Sequence, residues 1–326
     1  MALNLARVSG ERVMTWDNRL ATWSHASVPS DQRAHSWAEG GGCVPPRTTG
    51  HVVDVFWARP SCAPSLRELV SSVDWSRTEL LPNPVDRSRS LTAAALLQTV
   101  VGELHGVQPG HVQVTRHCRT CDSGTHGRPL VAPGSTNEAS APLYVSMAHA
   151  ADRVVVAMAT GWPVGVDVEE LTAAGFDGFD GAALHPDERR ELELVAPDLR
   201  PAWRAWRWTA KEALLKAAGL GLAVSPSTLS LAPTNGPDLA ETPVPPPRLA
   251  GDLAGGASIH RIDLGVGYAA SLALLSPTPF AARVRDGNAL LGQQASTGST
   301  PPSGANTEAD TPSCDNPWRS PPPAPR

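Results

Sequence analysis

Two long segments of helical period, set among short strand-like runs, constrain this chain more than any other feature. Residues 84–106 repeat Leu97, Val101 and Leu104 at helical spacing and leave at Gly106. Residues 201–218 form a second helix closed by Gly219, and residues 182–195 read as a third, acidic near its start. Around them, residues 51–57 (HVVDVFW), 111–115, 143–146, 153–159 (RVVVAMA), 164–169, 228–231, 258–264 and 267–275 read as strands. Thr160-Gly161 predicts a hairpin joining 153–159 to 164–169. No regular strand–helix–strand alternation runs through the chain. The pattern therefore predicts an α+β fold rather than a doubly wound sheet.

The ends read differently. Residues 1–50 lack periodic apolar pattern and are expected to be a flexible N-terminal extension. Residues 277–326 are rich in Pro and Ser and are expected to be a disordered tail, because such a stretch buries too little apolar area to offset the entropy of ordering it. A Pro/Gly-rich insertion covers 233–256. No signal-peptide run opens the sequence and no stretch has the uninterrupted apolar length of a membrane helix, so a cytoplasmic protein without membrane attachment is expected. The net charge of −5 offers no global positive field for nucleic acid.

The chemistry concentrates in Gly165-Val166-Asp167-Val168-Glu169. In a strand, Val164, Val166 and Val168 face one way while Asp167 and Glu169 share the other face. Two such carboxylates repel unless a cation lies between them or water screens them. Magnesium suits the first case, since it takes oxygen ligands and leaves room for water and phosphates. A solvated hairpin face is the other reading. Trp208, Glu212 and Lys216 fall one helical turn apart on one face. Glu212 there is a candidate third metal ligand or general base, and Lys216 a candidate phosphate partner; a plain surface Glu–Lys pair remains open. Of the 27 basic residues only Lys211 and Lys216 are lysines, and both lie in this helix. An ammonium is a compact point charge where a guanidinium is a broad fork, so their retention points to this segment.

Lesser signals lie nearby. His149 follows a strand in Ser146-Met147-Ala148-His149, and Arg128 sits in a Gly127-Arg128-Pro129 turn. Arg87 and Arg89 occupy the first turns of the 84–106 helix, where free backbone N–H groups already favour anions. Cys118 and Cys121, with His126 close by, form a C-x2-C that would suit zinc, although a second such pair is lacking.

Taken in order, GVDVEE at 165–170, WTAKEALLKAAGLGL at 208–222, DRSR at 86–89, HGRP at 126–129, SMAH at 146–149 and ALHPDE at 183–188 resemble the 4′-phosphopantetheinyl transferases, specifically the monomeric Sfp-type (surfactin-synthetase-activating) class. That class activates natural-product synthases (polyketide and nonribosomal peptide) and fatty-acid synthases. The resemblance spans about residues 51–275. It implies a pseudo-twofold arrangement of two similar α+β halves, 51–150 and 151–276, with the active site in the cleft between them. It implies transfer of the phosphopantetheine arm of coenzyme A to a serine of an acyl or peptidyl carrier protein, with Mg2+. It implies that Asp167, Glu169 and Glu212 hold the metal, that Glu212 and Lys216 are catalytic, and that Arg89, Arg128, His149 and Lys216 bind coenzyme A. A non-catalytic coenzyme A or carrier-protein binding module is the alternative. Where many relatives carry Ser-His-Ser, this chain has Ala148-His149-Ala150, so side-chain hydrogen bonds from those two flanks are not expected.

Overall fold

The computed structural model describes residues 2–8, 11–17, 51–124, 126–132, 141–231, 240–241, 243–244, 253 and 255–297. Strands β1 (Ala2–Val8) and β2 (Glu11–Asp17) form an antiparallel ladder of their own. The 1–50 stretch expected to be flexible therefore contains a regular strand pair; its residues 18–50 lie outside the described residues.

The first half begins with β3 (His51–Ala58), followed by helices α1 (Ser72–Glu79) and α2 (Pro84–His105). Helix α2 starts where Asn83 accepts the Val85 N–H at 2.8 Å and Pro84 occupies the first turn. It stops at Gly106, whose φ of 68° suits a residue without Cβ. Strands β4 (Val114–His117), β5 (Arg128–Val131), β6 (Leu143–Ala150) and β7 (Arg153–Thr160) follow. The strand β3 pairs antiparallel with β7, and β7 with β6.

The second half repeats that order. Strand β8 (Val164–Glu170) leads through α3 (Phe179–Ala183), α4 (Pro186–Leu194) and the long α5 (Arg200–Ala218). Short strands β9 (Ser230–Leu231), β10 (Ala240–Glu241) and β11 (Pro243–Val244) precede β12 (Ser258–Arg261) and β13 (Tyr268–Leu274). Here the first strand, β8, pairs with the last, β13, which pairs with β12. The orders β3-β7-β6 and β8-β13-β12 match, each with one long helix on the sheet, which is the pseudo-twofold α+β arrangement expected.

The two sheets pack face to face between the two helices. Alternation along β7 shows how: Val156 and Met158 join the apolar cluster under α2, while Val155, Ala157 and Ala159 join Val164, Val166 and Val168 of β8 between the sheets. A strand buried on both faces reads as the continuous apolar run RVVVAMA. Ala148 and Ala150 also enter this inter-sheet cluster. Among the described residues no helix is long and apolar enough to cross a membrane.

Three expectations are corrected. Strands β7 and β8 do not form a hairpin: β3 and β6 already occupy both edges of β7, so the chain turns at Gly161 (φ 81°) and β8 enters the other sheet. The helix expected over 182–195 is interrupted at Leu184, where Pro186 restarts it with His185 as its cap. The disordered tail expected from 277 is partly structured. Strand β14 (Phe280–Asp286) pairs parallel with β3 and completes the six-stranded sheet; α6 (Asn288–Thr297) follows and buries Leu291 against the α2 cluster. A low-hydrophobicity strand is stable there because it adds to an existing sheet edge. Its exposed face, with Arg283 bidentate on Asp54 at 2.6 and 2.8 Å, hides the pattern that would reveal it. Within the 233–256 insertion, the described residues of β10 and β11 pair with β12 and β9; most of the rest lies outside the described residues.

Candidate active site

The site is set by a close approach. A Cβ on Gly165 of β8 would stand 1.9 Å from the Ala213 carbonyl oxygen and 2.6 Å from the Ala217 nitrogen of α5. Glycine on the strand and alanines on the helix let the two backbones touch. Gly165, Asp167 and Glu169 share the β8 face opposite the valines, so the contact sets Glu212 and Lys216 of α5 beside Asp167 and Glu169.

Asp167, Glu169 and Glu212 are buried, 5 to 7% exposed, which removes the solvated-hairpin reading. The Lys216 Nζ donates to Asp167 Oδ1 at 2.5 Å and to the Val166 carbonyl at 3.3 Å. The Val166 N–H donates to Ser146 Oγ of β6 at 3.1 Å. The edge of β8 is thus satisfied by one side chain from each half, which fixes the halves in register at the site.

These carboxylates line a cavity of about 330 Å³ together with Lys216, His149 and Met147, and with Asp74, Arg77 and Ser90 from α1 and α2. A second cavity of about 500 Å³ shares Arg116, Met147 and Lys216 with it and adds Arg128, Gly127 and the loop after α5. The two form a cleft between the halves. Asp167 Oδ2, Glu169 Oε2 and Glu212 Oε1 are buried without a protein partner. So are His149 Nδ1, Arg116 Nε, and Arg128 Nε and Nη2. The cleft therefore holds unused acceptors beside unused donors.

Burial pushes the Glu169 carboxyl up to about 8 and Glu212 to about 7, in both cases reinforced by the Asp167 charge. Asp167 is also raised by burial, against the pull of Lys216. Burial opposes the Lys216 ammonium, but Asp167 and Glu212 outweigh it and hold its pKa above the usual value. Burial, with the charges of Arg89 and Lys216, lowers His149 to about 4, so its imidazole is neutral at physiological pH. Three partnerless carboxylate oxygens in one cavity suit a hard cation, which supplies the missing charge.

The structure thus brings Asp167, Glu169, Glu212, Lys216 and His149 together and sets Arg128 in the adjoining cavity. Arg89 is engaged elsewhere: its Nε donates to Ala151 O at 2.9 Å and its Nη1 meets Asp86 Oδ1 at 3.2 Å, so it anchors the β6–β7 turn next to His149. The other lysine does not reach the cleft. Lys211 is fully buried, paired with Glu188 and donating to Ala183 O and Pro226 O at 2.8 and 3.0 Å. Sequence reasoning missed Asp74, Arg77, Ser90 and Arg116. Asp74 carried one signal, the Ser71-x-x-Asp74 start of α1, where Ser71 Oγ accepts the Asp74 N–H. Arg116 reads like any strand arginine.

Residues 163–251 match the family model of the 4′-phosphopantetheinyl transferase superfamily. The chain is similar to a putative 4′-phosphopantetheinyl transferase of Synechocystis sp., 27% identical over 160 residues, covering 49% of this chain and 61% of that protein. It is similar to the 4′-phosphopantetheinyl transferase HetI of Nostoc sp., 27% identical over 182 residues, covering 55% of this chain and 72% of that protein. The chain thus spans less than two thirds of the Synechocystis protein's length. Among solved structures, the holo-[acyl-carrier-protein] synthase of Neisseria meningitidis aligns with a TM-score of 0.30 at 22% identity, over 34% of this chain and 95% of that one.

Proposed function

We propose that this chain, matched over residues 163–251 by the 4′-phosphopantetheinyl transferase superfamily, moves the phosphopantetheine arm of coenzyme A onto a serine of an apo carrier protein. The observation that carries the reading is the cleft itself: three buried carboxylates with unused oxygens facing Lys216, beside unpaired arginine and histidine nitrogens. Such a site suits a substrate with a pyrophosphate and a further phosphate.

In the proposed reaction the serine Oγ attacks the β-phosphorus of coenzyme A. The bond from that phosphorus to the bridging oxygen breaks, and 3′,5′-ADP leaves. Phosphoryl transfer depends on positioning and charge neutralisation more than on covalent help. Glu212, directly or through a water, takes the serine proton as general base. Lys216 offsets the charge that grows on the α-phosphate of the leaving 3′,5′-ADP. Arg128 and the neutral His149 hold the nucleotide end, with Arg89 bracing the turn behind His149. Asp167, Glu169 and Glu212 would hold Mg2+, which when bound supplies charge neutralisation for the pyrophosphate. The Sfp-type assignment and a cytoplasmic monomer belong to the same proposal.

The test is mass spectrometry of apo acyl and peptidyl carrier proteins incubated with the full chain, coenzyme A and Mg2+. A gain of one phosphopantetheine is expected, lost in Asp167→Ala with the fold intact by circular dichroism. No gain with any carrier of a broad panel, while coenzyme A still binds, would favour the non-catalytic module.

A further inference from the structure

Away from the carboxylate-lined cavity, the described residues draw together one group of three metal-ligating side chains: Cys118, Cys121 and His126, and theirs is the set whose ligand atoms converge. Their ligand atoms all lie within 4.8 Å of one another, and Cys121 Sγ is 3.2 Å from His126 Nε2. A tetrahedral zinc with two sulfur ligands and one nitrogen ligand sets those atoms about 3.5–3.8 Å apart, so the observed spacing brackets what the ion needs. Both cysteines are free thiols.

The loop is preformed for ligation. The Cys118 N–H donates to Ser123 O at 2.9 Å, and the Asp122 N–H donates to Cys118 O at 2.8 Å. The N–H groups of Thr120 and Cys121 donate to the Cys118 sulfur, as suits a thiolate acceptor. Gly127 closes the other side. Its φ is 98°, and a Cβ there would stand 2.4 Å from His117 O and 2.7 Å from Cys118 Cα. The turn before β5 is thereby folded against the C-x2-C loop, bringing His126 to the two sulfurs.

We infer that Cys118, Cys121 and His126 bind a zinc ion that fastens the β4–β5 connection. Two thiolates and an imidazole form a soft donor set that selects zinc over magnesium, and two thiolates balance the dication beside Arg116 and Arg128. Three protein ligands leave a fourth position for water. The consequence lies in what the loop carries. Arg119, between the cysteines, donates from Nη1 to Ala218 O at 2.7 Å, at the C-terminal end of α5. Arg128 follows directly and lines the 500 Å³ cavity. The ion would hold a strap that reaches from the first half onto α5 and sets Arg128 in the wall of the cleft.

The experiment measures metal, so its outcome is independent of transferase turnover. The full chain is produced in zinc-supplemented medium, purified with a thiol reductant and no chelator, and its metal counted by plasma mass spectrometry. About one zinc per chain is expected, falling below about a tenth in Cys118→Ser, Cys121→Ser and His126→Ala while Asp167→Asn keeps it. Cobalt titration of the stripped parent should give thiolate-to-metal charge-transfer absorption; it settles the matter where a variant is insoluble. Absence of that band together with no zinc in the parent would overturn the inference. So would zinc retained in Cys121→Ser, or a zinc-free parent whose intact mass shows Cys118 and Cys121 joined as a disulfide.

Discussion

Substituting Gly165 by alanine should dismantle the site from underneath. The added Cβ would stand 1.9 Å from the Ala213 oxygen, and its other near neighbours, Ala217 N at 2.6 Å and Ala213 C at 2.9 Å, are also helix backbone. No side chain can swing aside. To reach an ordinary contact of 3.4 Å, α5 must retreat by about 1.5 Å from β8. That retreat stretches the Lys216–Asp167 contact from 2.5 Å to about 4 Å, at the limit of an ion pair. Overpacking of this kind costs roughly 1–3 kcal/mol, and the rigid backbone neighbours place it toward the upper end. A displacement of the order of 1 Å in a positioned group lowers turnover by about 10²-fold. Urea unfolding of Gly165→Ala should show a lower midpoint at unchanged slope, and carrier-protein loading followed by mass spectrometry should slow by that factor. A variant that unfolds at the parental urea concentration and loads carrier at the parental rate would refute the claim that this contact sets the spacing of the site.

Glu169 and Glu212 have folded pKa values of about 8 and 7, above their unfolded values, so they withdraw stability as pH rises through that range. The metal-free chain should therefore lose stability progressively from about pH 4.5, the unfolded value, to about pH 8 and level off above it, and added Mg2+ should restore it at the upper end; a flat profile across that window in denaturant titrations would contradict the buried acid cluster. Lys211→Met should destabilise by about 3–5 kcal/mol in urea, because it leaves the fully buried Glu188 carboxylate without its counter-charge, held only by the N–H groups of His185 and Leu231. A chain ending at residue 276 lacks β14 and α6, uncovers β3 and removes Leu291 from the α2 cluster; its urea midpoint should fall by the equivalent of about 2–5 kcal/mol.

The acid pair and the Glu212–Lys216 face were legible because period 2 and period 3.6 are local properties, and each placed its side chains on the correct face. What brings the two faces together was not legible in that way. Gly165 looks like one more strand glycine until α5 lies on it. The lysine scarcity pointed to this helix, and helical period already set Lys216 on the Glu212 face and Lys211 off it. That Lys211 is locked to Glu188 is what only the fold shows. The β7–β8 connection was misread because turn residues announce a reversal without saying which strand will be the neighbour. Arg116 and Asp74 come from elements distant in sequence and carry no pattern of their own.

The parallel pairing of β14 with β3 joins residues some 229 positions apart in the chain. Closure entropy grows only logarithmically with separation, so this arrangement weighs little on the equilibrium. It weighs more on time. As the chain emerges from the ribosome, β3, β6 and β7 are available long before β14, and the first sheet must wait with one row of N–H and C=O groups open. Such an edge is a template for strands of other chains. Folding dominated by pairings this remote is also slow. Overproduction should therefore expose the chain to misassembly chiefly in the interval before residue 286 is synthesised, and slowed translation downstream of β13 would lengthen that interval.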